Sequence, residues 1–471
     1  MDIGNTVHAF GDDVLADRDA VALADLVQRR EVSAVELAEA AIHRAEKVQP
    51  VLRAVAWEDY ERARAAAKEP REGPFAGVPV FVKDNTQVKG MPTRFGSQAI
   101  PQVSAAVDGS FARQFLSLGF HVLGKSSLPE FGFNSTTEFQ GKPPTCNPWN
   151  PAYSCGGSSG GAAALVAAGV VPLAHGNDGG GSIRIPAACC GLVGLKPSRG
   201  RLVEGEMART LPIKIVVEGV LTRSVRDTAH FLAAAEQVYR NPNLPPLGLV
   251  EGPGQRRLVI GMIMDSITRV PTGSQTRTAV EQTATTLERL GHRVEPWQAP
   301  IPVSFIDDFA DYWNFLGFLV GWFGRLQFGR KFQADRLDNL TQNLAAGFRR
   351  RLWRMPGMLY RMRQVARQSF ERTGTYDLIL SPVLGHITPE LGYMSPEVPF
   401  PELIRRMTRY VGFTPINNAS GEPAISLPLA QSDEGLPIGV QLSARMGDER
   451  TLLEIAYELE QASPWRRITD R

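Results

Sequence analysis

His175-Gly176-Asn177-Asp178-Gly179-Gly180-Gly181-Ser182-Ile183-Arg184-Ile185-Pro186 sets three glycines ahead of a serine, directly after an apolar run, Val171 to Ala174, that reads as a strand. A second glycine stretch with serines, Gly156-Gly157-Ser158-Ser159-Gly160-Gly161, lies upstream, so that Ser158 and Ser182 are 24 residues apart. Glycine lets a backbone approach a reacting centre and turn several N–H groups into one concavity, as an oxyanion site requires. Either stretch alone could equally be a turn, because glycine punctuates loops everywhere.

Upstream again, Val78 to Lys83 is an apolar run with three valines that reads as a buried strand despite Pro79, which puts Lys83 at a strand end. Two helices open the chain, one over Val21 to Gln28 and one after Ser33, where Ser33 and Glu36 form a capping box; the second is expected to end near Gln49-Pro50. Phe120 to Leu123 reads as a strand and Ala162 to Ala168 as an Ala-rich helix. Arg257 to Met264, Thr276 to Leu290 and His292 to Pro296 have the form of a βαβ unit and imply a parallel pairing. From Phe305 to Thr373 the chain reads as helical, rich in Trp, Phe and Arg.

Lys83, the two glycine stretches and two further segments together resemble the amidase signature family over nearly the whole chain. The matching text is Val82-Lys83-Asp84-Asn85, Gly156 to Gly161, Asp178 to Pro186, Gly194-Leu195-Lys196-Pro197-Ser198 and Gly421-Glu422-Pro423-Ala424-Ile425-Ser426. The resemblance implies an α/β fold: a twisted mixed β-sheet covered by helices on both faces, residues 1–471 as a single domain, with 305–373 as a helical insertion. It implies hydrolysis of carboxylic amides, with esters, anilides and carbamates also admissible, through an acyl-enzyme. Lys83 then matches the catalytic lysine, Ser158 a bridging serine in a cis peptide, and Ser182 the nucleophile. The N–H groups of Gly179, Gly180, Gly181 and Ser182 match the oxyanion loop, and Ser159 a serine that hydrogen-bonds the lysine. Asp178 and Arg184 are expected to pair and support that loop.

The residue types suit this chemistry. A serine hydroxyl needs a base within hydrogen-bond reach, and a lysine is a base only when neutral, which burial away from carboxylates favours. Asp84 adjoins Lys83 but should point to the opposite face of the strand. Gly179 stands where the family usually has threonine, and Asn177 where it has serine or threonine. That text resembles a subgroup with actinobacterial amidases and the hydrolases of 6-aminohexanoate cyclic dimer. Phe131, Phe133, Phe318 and Trp322 are expected to line the substrate pocket.

Other readings remain open on sequence. Gly157 to Gly161 also matches the nucleophile elbow G-x-S-x-G, with Ser159 as an esterase nucleophile and His386 or His230 as base, although the Pro- and Asn-rich text before it, Asn147 to Tyr153, does not form the strand an elbow follows. Gly119 to Ser126 is a formal P-loop match whose middle reads as a strand, with Lys125 at its end. His175 reads as a hydrogen-bonded strand-end histidine. Arg349, Arg350, Arg351, Arg354, Arg361, Arg363 and Arg367, with Trp322, Phe348 and Trp353, could form a membrane-surface or partner-binding module instead of a helical subdomain with a basic face.

Composition bounds the rest. The net charge of +2 gives no electrostatic footprint for nucleic acid. Seven histidines and four cysteines show no metal-ligand spacing, so neither metal nor cofactor is expected. Met1 to Asp13 lacks the basic and apolar regions of a signal peptide, and the longest apolar run, near Phe315 to Phe323, is about half of the ~20 residues a span needs. A cytoplasmic enzyme acting on a small-molecule amide is expected, with a homodimer left open.

Overall fold

The computed structural model describes residues 6–298, 301–374 and 376–470, with backbone only for 366–373. Ser33 Oγ accepts from Glu36 N–H while Glu36 accepts from Ser33 N–H, so the capping box starts the helix Ala34–Leu52. That helix runs past Pro50, where a stop was expected. The proline falls in the last turn, which the Arg53 N–H closes on Gln49 O.

The strands fall into two ladders. β1 (Val55–Glu58), β2 (Pro79–Lys83) and β3 (His121–Ser126) pair in the order β1-β3-β2. β4 (Leu173–Asp178), β5 (Val193–Lys196), β6 (Val217–Thr222), β7 (Val259–Met262), β8 (Arg293–Pro296), β9 (Leu378–Pro382), β10 (Ala424–Gln431) and β11 (Pro437–Ala444) pair in the order β4-β6-β5-β10-β11-β9-β7-β8. The sheet is mixed: β2 with β3 and β7 with β8 and β9 are parallel, while β4, β5, β6, β10 and β11 pair antiparallel. The parallel β7-helix-β8 unit is the βαβ unit read from sequence.

β2 lies alongside β4 without a ladder between them. At the end of β2 the Lys83 N–H donates instead to a side chain, the imidazole Nδ1 of His175 on β4, at 3.2 Å.

Helices cover both faces. Helix Arg184–Cys190 packs Ala187 against Gly194 of β5 and Ala188 against Gly439 of β11, both too close for a side chain on the strand. Helices Val225–Val238, Ser274–Arg289 and Glu449–Ala462 cover the other face. The segment expected to be helical forms Ser304–Phe328, Asn339–Arg349 and Met355–Thr373. It builds a second hydrophobic cluster from Phe305, Tyr312, Phe315, Phe348, Met358 and Met362, closed against Ile213 and Ile215.

Candidate active site

Three backbone segments converge at the junction of the two ladders. Lys83 ends β2, Ser158 and Ser159 precede helix Gly160–Ala167, and Ser182 sits between the end of β4 and helix Arg184–Cys190. The Gly157–Ser158 peptide is cis. Gly181 has φ +128°, and a Cβ there would meet Thr414 Oγ1 at 2.5 Å, so only glycine fits. Gly132 (φ +71°) lies against the Ser158 hydroxyl, 2.9 Å from where its Cβ would stand.

The Lys83 side chain has no exposed surface, and its Nζ has three oxygens within 3 Å, Ser158 Oγ at 2.8 Å, Ser159 Oγ at 2.9 Å and Asn177 Oδ1 at 2.7 Å, with the Asn177 backbone carbonyl farther off at 3.5 Å. None is a carboxylate. Burial pulls the ammonium down from the ordinary lysine range to about 7, against the opposing pull of Glu218 and Asp178 farther off. Asp84 faces the other way, its Oδ1 3.8 Å from Lys125 Nζ. His175 accepts the Lys83 N–H at Nδ1, so its proton is on Nε2, which donates to Glu218 Oε2 at 2.9 Å. Burial lowers the imidazole pKa further, which keeps it neutral.

The glycine loop is tied down by one buried ion pair. Arg184 Nε and a terminal nitrogen each donate to the Asp178 carboxylate at 2.9 Å. The other Arg184 N–H groups reach Asn417 Oδ1, Asn418 Oδ1 and Gln441 Oε1. Burial alone would push the Asp178 carboxyl up, but Arg184, Lys196 and Asn418 together hold it below the ordinary carboxylate range. Asp178 also accepts the N–H of Gly181 at 2.7 Å and of Ile183 at 3.2 Å. The Gly181 N–H, expected in the oxyanion loop, is thus held by Asp178. Among the described residues, the N–H groups of Gly179, Gly180 and Ser182 have no partner within the chain. Ser159 N–H donates to Ser182 O at 3.2 Å, and Thr414 Oγ1 to Gly180 O at 2.6 Å, which join the serine segments to each other and to the C-terminal region.

Residues 36–453 match the family model for amidases. The Mycobacterium leprae protein named "Putative amidase AmiC" is 48% identical over 98% of both chains, and the 6-aminohexanoate-cyclic-dimer hydrolase of a Pseudomonas species is 35% identical over 95% of both. The structure of a 6-aminohexanoate cyclic dimer hydrolase complexed with substrate superposes with a TM-score of 0.85 at 31% identity, covering 96% of this chain and 98% of that one. The chain belongs to the amidase family. It is an enzyme that hydrolyses carbon–nitrogen bonds of amides.

Ser182 opens on a cavity of about 1200 Å³. Its wall near Ser182 is built by Phe133, Ile185, Phe309, Trp313 and Ile416. Trp313 Nε1 donates to Phe133 O at 3.2 Å, and its ring meets Phe133 edge-on at 5.6 Å and stacks with Phe309 at 5.9 Å. Of the four aromatic residues expected to line the pocket, Phe133 does so. Phe131 instead packs among Phe95 and Phe328, with ring centroids at 6.0 and 5.6 Å. Phe318 lies on Phe348 in the second cluster, and Trp322 is 57% exposed with the Arg349 guanidinium 5.0 Å over its ring. Helical phase explains the difference: Phe309 and Trp313 are four residues apart on the face of Ser304–Phe328 turned to the cavity, whereas Phe318 and Trp322 follow on another face.

The elbow and P-loop readings lose their geometry in this amidase. Ser159 is fully buried and hydrogen-bonded to Lys83, with no strand before it; His386 packs on Tyr410 and bonds Ile387 O, and His230 lies on helix Val225–Val238. Lys125 is buried within β3, its Nζ on Thr86 O at 2.6 Å, which leaves no phosphate cradle. Of the basic helical run, Arg351 and Arg354 pair with Asp311, and Arg361 with Asp308; Phe348 is core, Trp322 and Trp353 are exposed, and Arg367 lies outside the described side chains. Among the described residues no helix is long and apolar enough to cross a membrane.

Sequence reasoning missed four supports. Asn418, Gln441, Thr414 and Glu218 carry no local motif. Asn177 did carry a signal, as a departure from the family text, but its contact with Lys83 was not foreseen.

Proposed function

We propose that the amidase works through an acyl-enzyme on Ser182, with Ser158 carrying protons between Ser182 and Lys83. Neutral Lys83 takes the Ser158 hydroxyl proton as Ser158 takes that of Ser182. The Ser182 Oγ then bonds the amide carbon, and the carbonyl π pair moves onto oxygen. The N–H groups of Gly179, Gly180 and Ser182 face that oxyanion. Its collapse breaks the C–N bond, and the leaving nitrogen receives the Ser158 proton, which Lys83 replaces. Water repeats the sequence to release the acid.

The observation that carries this reading is the 2.8 Å hydrogen bond from a fully buried Lys83 Nζ to Ser158 Oγ with no carboxylate in contact. Lys83 comes from β2, Ser182 from the end of β4, and the groups that hold Arg184 from beyond residue 416, which supports treating 1–471 as one catalytic unit. The cavity exceeds the roughly 300–1,000 Å³ of ordinary ligand sites and has an aromatic wall, which supports a bulky, largely apolar amide as substrate. Cyclic amides belong to that class, as the name of the cyclic-dimer hydrolase suggests for that relative. Esters, anilides and carbamates with such groups could enter the same acyl-enzyme. A fluorophosphonate probe followed by peptide mapping tests the assignment: label on Ser182 is expected, and label on Ser159 with turnover retained by Ser182→Ala would overturn it.

A further inference from the structure

The amine of Lys83 has more oxygens around it than a base can use in one way. Protonated, it carries three N–H groups, and the three near oxygens, Ser158 Oγ, Ser159 Oγ and Asn177 Oδ1, accept them at 2.7 to 2.9 Å, while the Asn177 backbone carbonyl, at the long distance of 3.5 Å, already accepts from Ser159 Oγ. Neutral, it has two N–H groups and one lone pair, so one of those three neighbours must turn from acceptor to donor. Which one turns decides whether the lysine can take a proton from the relay.

Two of the three have their direction set. Ser159 Oγ donates to the backbone carbonyl of Asn177 at 3.3 Å and so keeps a lone pair towards the amine. The Asn177 amide oxygen has no proton to give. Its orientation follows from its two donors, Lys83 Nζ at 2.7 Å and Asn85 Nδ2 at 3.2 Å, and from the ammonium form, which tolerates only an acceptor there. Ser158 alone is left free to donate.

We propose that Asn177 is a positioning residue whose Oδ1, with Ser159 Oγ, occupies both N–H groups of neutral Lys83 and so aims the amine's lone pair at the Ser158 hydroxyl. This rests on the reading of Lys83 as the terminal base. It also accounts for an amide at this position. A carboxylate of the same shape would orient the amine equally but would stabilise the ammonium. The charges now facing the amine are Glu218, which binds His175, and Asp178, which binds Arg184; His175 is neutral, and Lys125 pairs with Asp84. None of them touches Nζ.

The test is the pH profile of kcat/KM for a chromogenic anilide, with acylation shown to limit the rate, in wild type, Asn177→Asp and Asn177→Leu. Melting temperature and the pH dependence of fluorophosphonate labelling of Ser182 are measured beside it. In wild type, activity rises with pH as Lys83 loses its proton. In Asn177→Asp the rising limb moves up by roughly 1 to 3 pH units, the effect of a contacting carboxylate, while the alkaline plateau stays within several-fold. In Asn177→Leu the plateau falls by on the order of tenfold or more and the limb does not move up. An Asp variant that loses the same factor at every pH with its limb in place would reduce Asn177 to a structural support and overturn the proposal. Should the Leu variant fail to fold, the limb of the Asp variant decides by itself. A wild-type profile without the limb would sink the Lys83 reading and this inference with it, whereas a normal wild-type limb unmoved in Asn177→Asp would sink this inference only.

Discussion

At Ser182 and Lys83 the expected effects of substitution follow from single atoms. Ser182→Ala removes one hydroxyl from a loop held by Asp178 and Arg184, so turnover should vanish while the melting temperature stays within a degree or two of wild type. Lys83→Met should lower kcat by at least ~10², the lower range for a general base. The sign of the pH dependence follows from the depressed lysine: below about 7 Lys83 holds its proton and cannot accept another, and above it the base is free, so activity rises through that range. A flat profile with chemistry limiting would contradict it. Arg184 has the opposite character, touching structure alone. Arg184→Met leaves the Asp178 carboxylate buried without its partner and should cost about 3 to 5 kcal/mol in urea unfolding, with little activity left because the glycine loop loses its anchor. A loss below 1 kcal/mol would show that Asn418 and Lys196 hold Asp178 unaided.

Helix Ser304–Phe328 shows what an element contributes beyond its residues. Gly317 faces helix Asn339–Arg349 so closely that a Cβ would stand 2.6 Å from Leu344 Cβ, and Gly321 is similarly near Ala345. Glycine in a helix interior costs roughly 0.5–1 kcal/mol relative to Ala, yet here it lets the two backbones approach and close the second cluster. Gly317→Leu should therefore destabilise by about 1 to 3 kcal/mol through overpacking. Because Trp313 lies one turn away on the same helix, hydrolysis of bulky amides should weaken in that variant more than hydrolysis of small ones. An unchanged melting temperature would mean that the helices can part without penalty.

On the scale of the whole molecule, the substrate cavity belongs to no single segment: Phe133 follows β3, Ser182 follows β4, Met262 ends β7, Trp313 lies on the long helix and Ile416 comes from the C-terminal part. Trp313→Ala should accordingly lower kcat/KM for a bulky aromatic amide by on the order of tenfold or more, since a buried side-chain contact supplies about 1.5 to 3 kcal/mol, and leave acetamide nearly unaffected. Equal losses on both substrates would indicate that Trp313 only supports the fold. Trp322→Ala, at a ring stacked on the surface, should change neither.

The sequence alone determined what short-range chemistry governs. The Ser33–Glu36 capping box, the buried strand ending in Lys83, the βαβ unit before residue 297 and the two glycine stretches all depend on neighbours within a few positions, where backbone propensity and periodicity act. The motifs, with the family resemblance they carry, also singled out Lys83, Ser158, Ser159 and Ser182. Tertiary structure alone decided the direction of each contact. Asn418 and Gln441 reach Arg184 across 234 and 257 residues of chain, and no periodicity records that distance. The face of a helix that meets a cavity is set by where its partners lie, which is why Phe133 and Trp313 meet beside Ser182 while Phe318 and Trp322 do not. Asn177 falls between the two: its identity was visible as a departure in a familiar motif, but its hydrogen bond to Lys83 exists only because the ends of β2 and β4 come side by side.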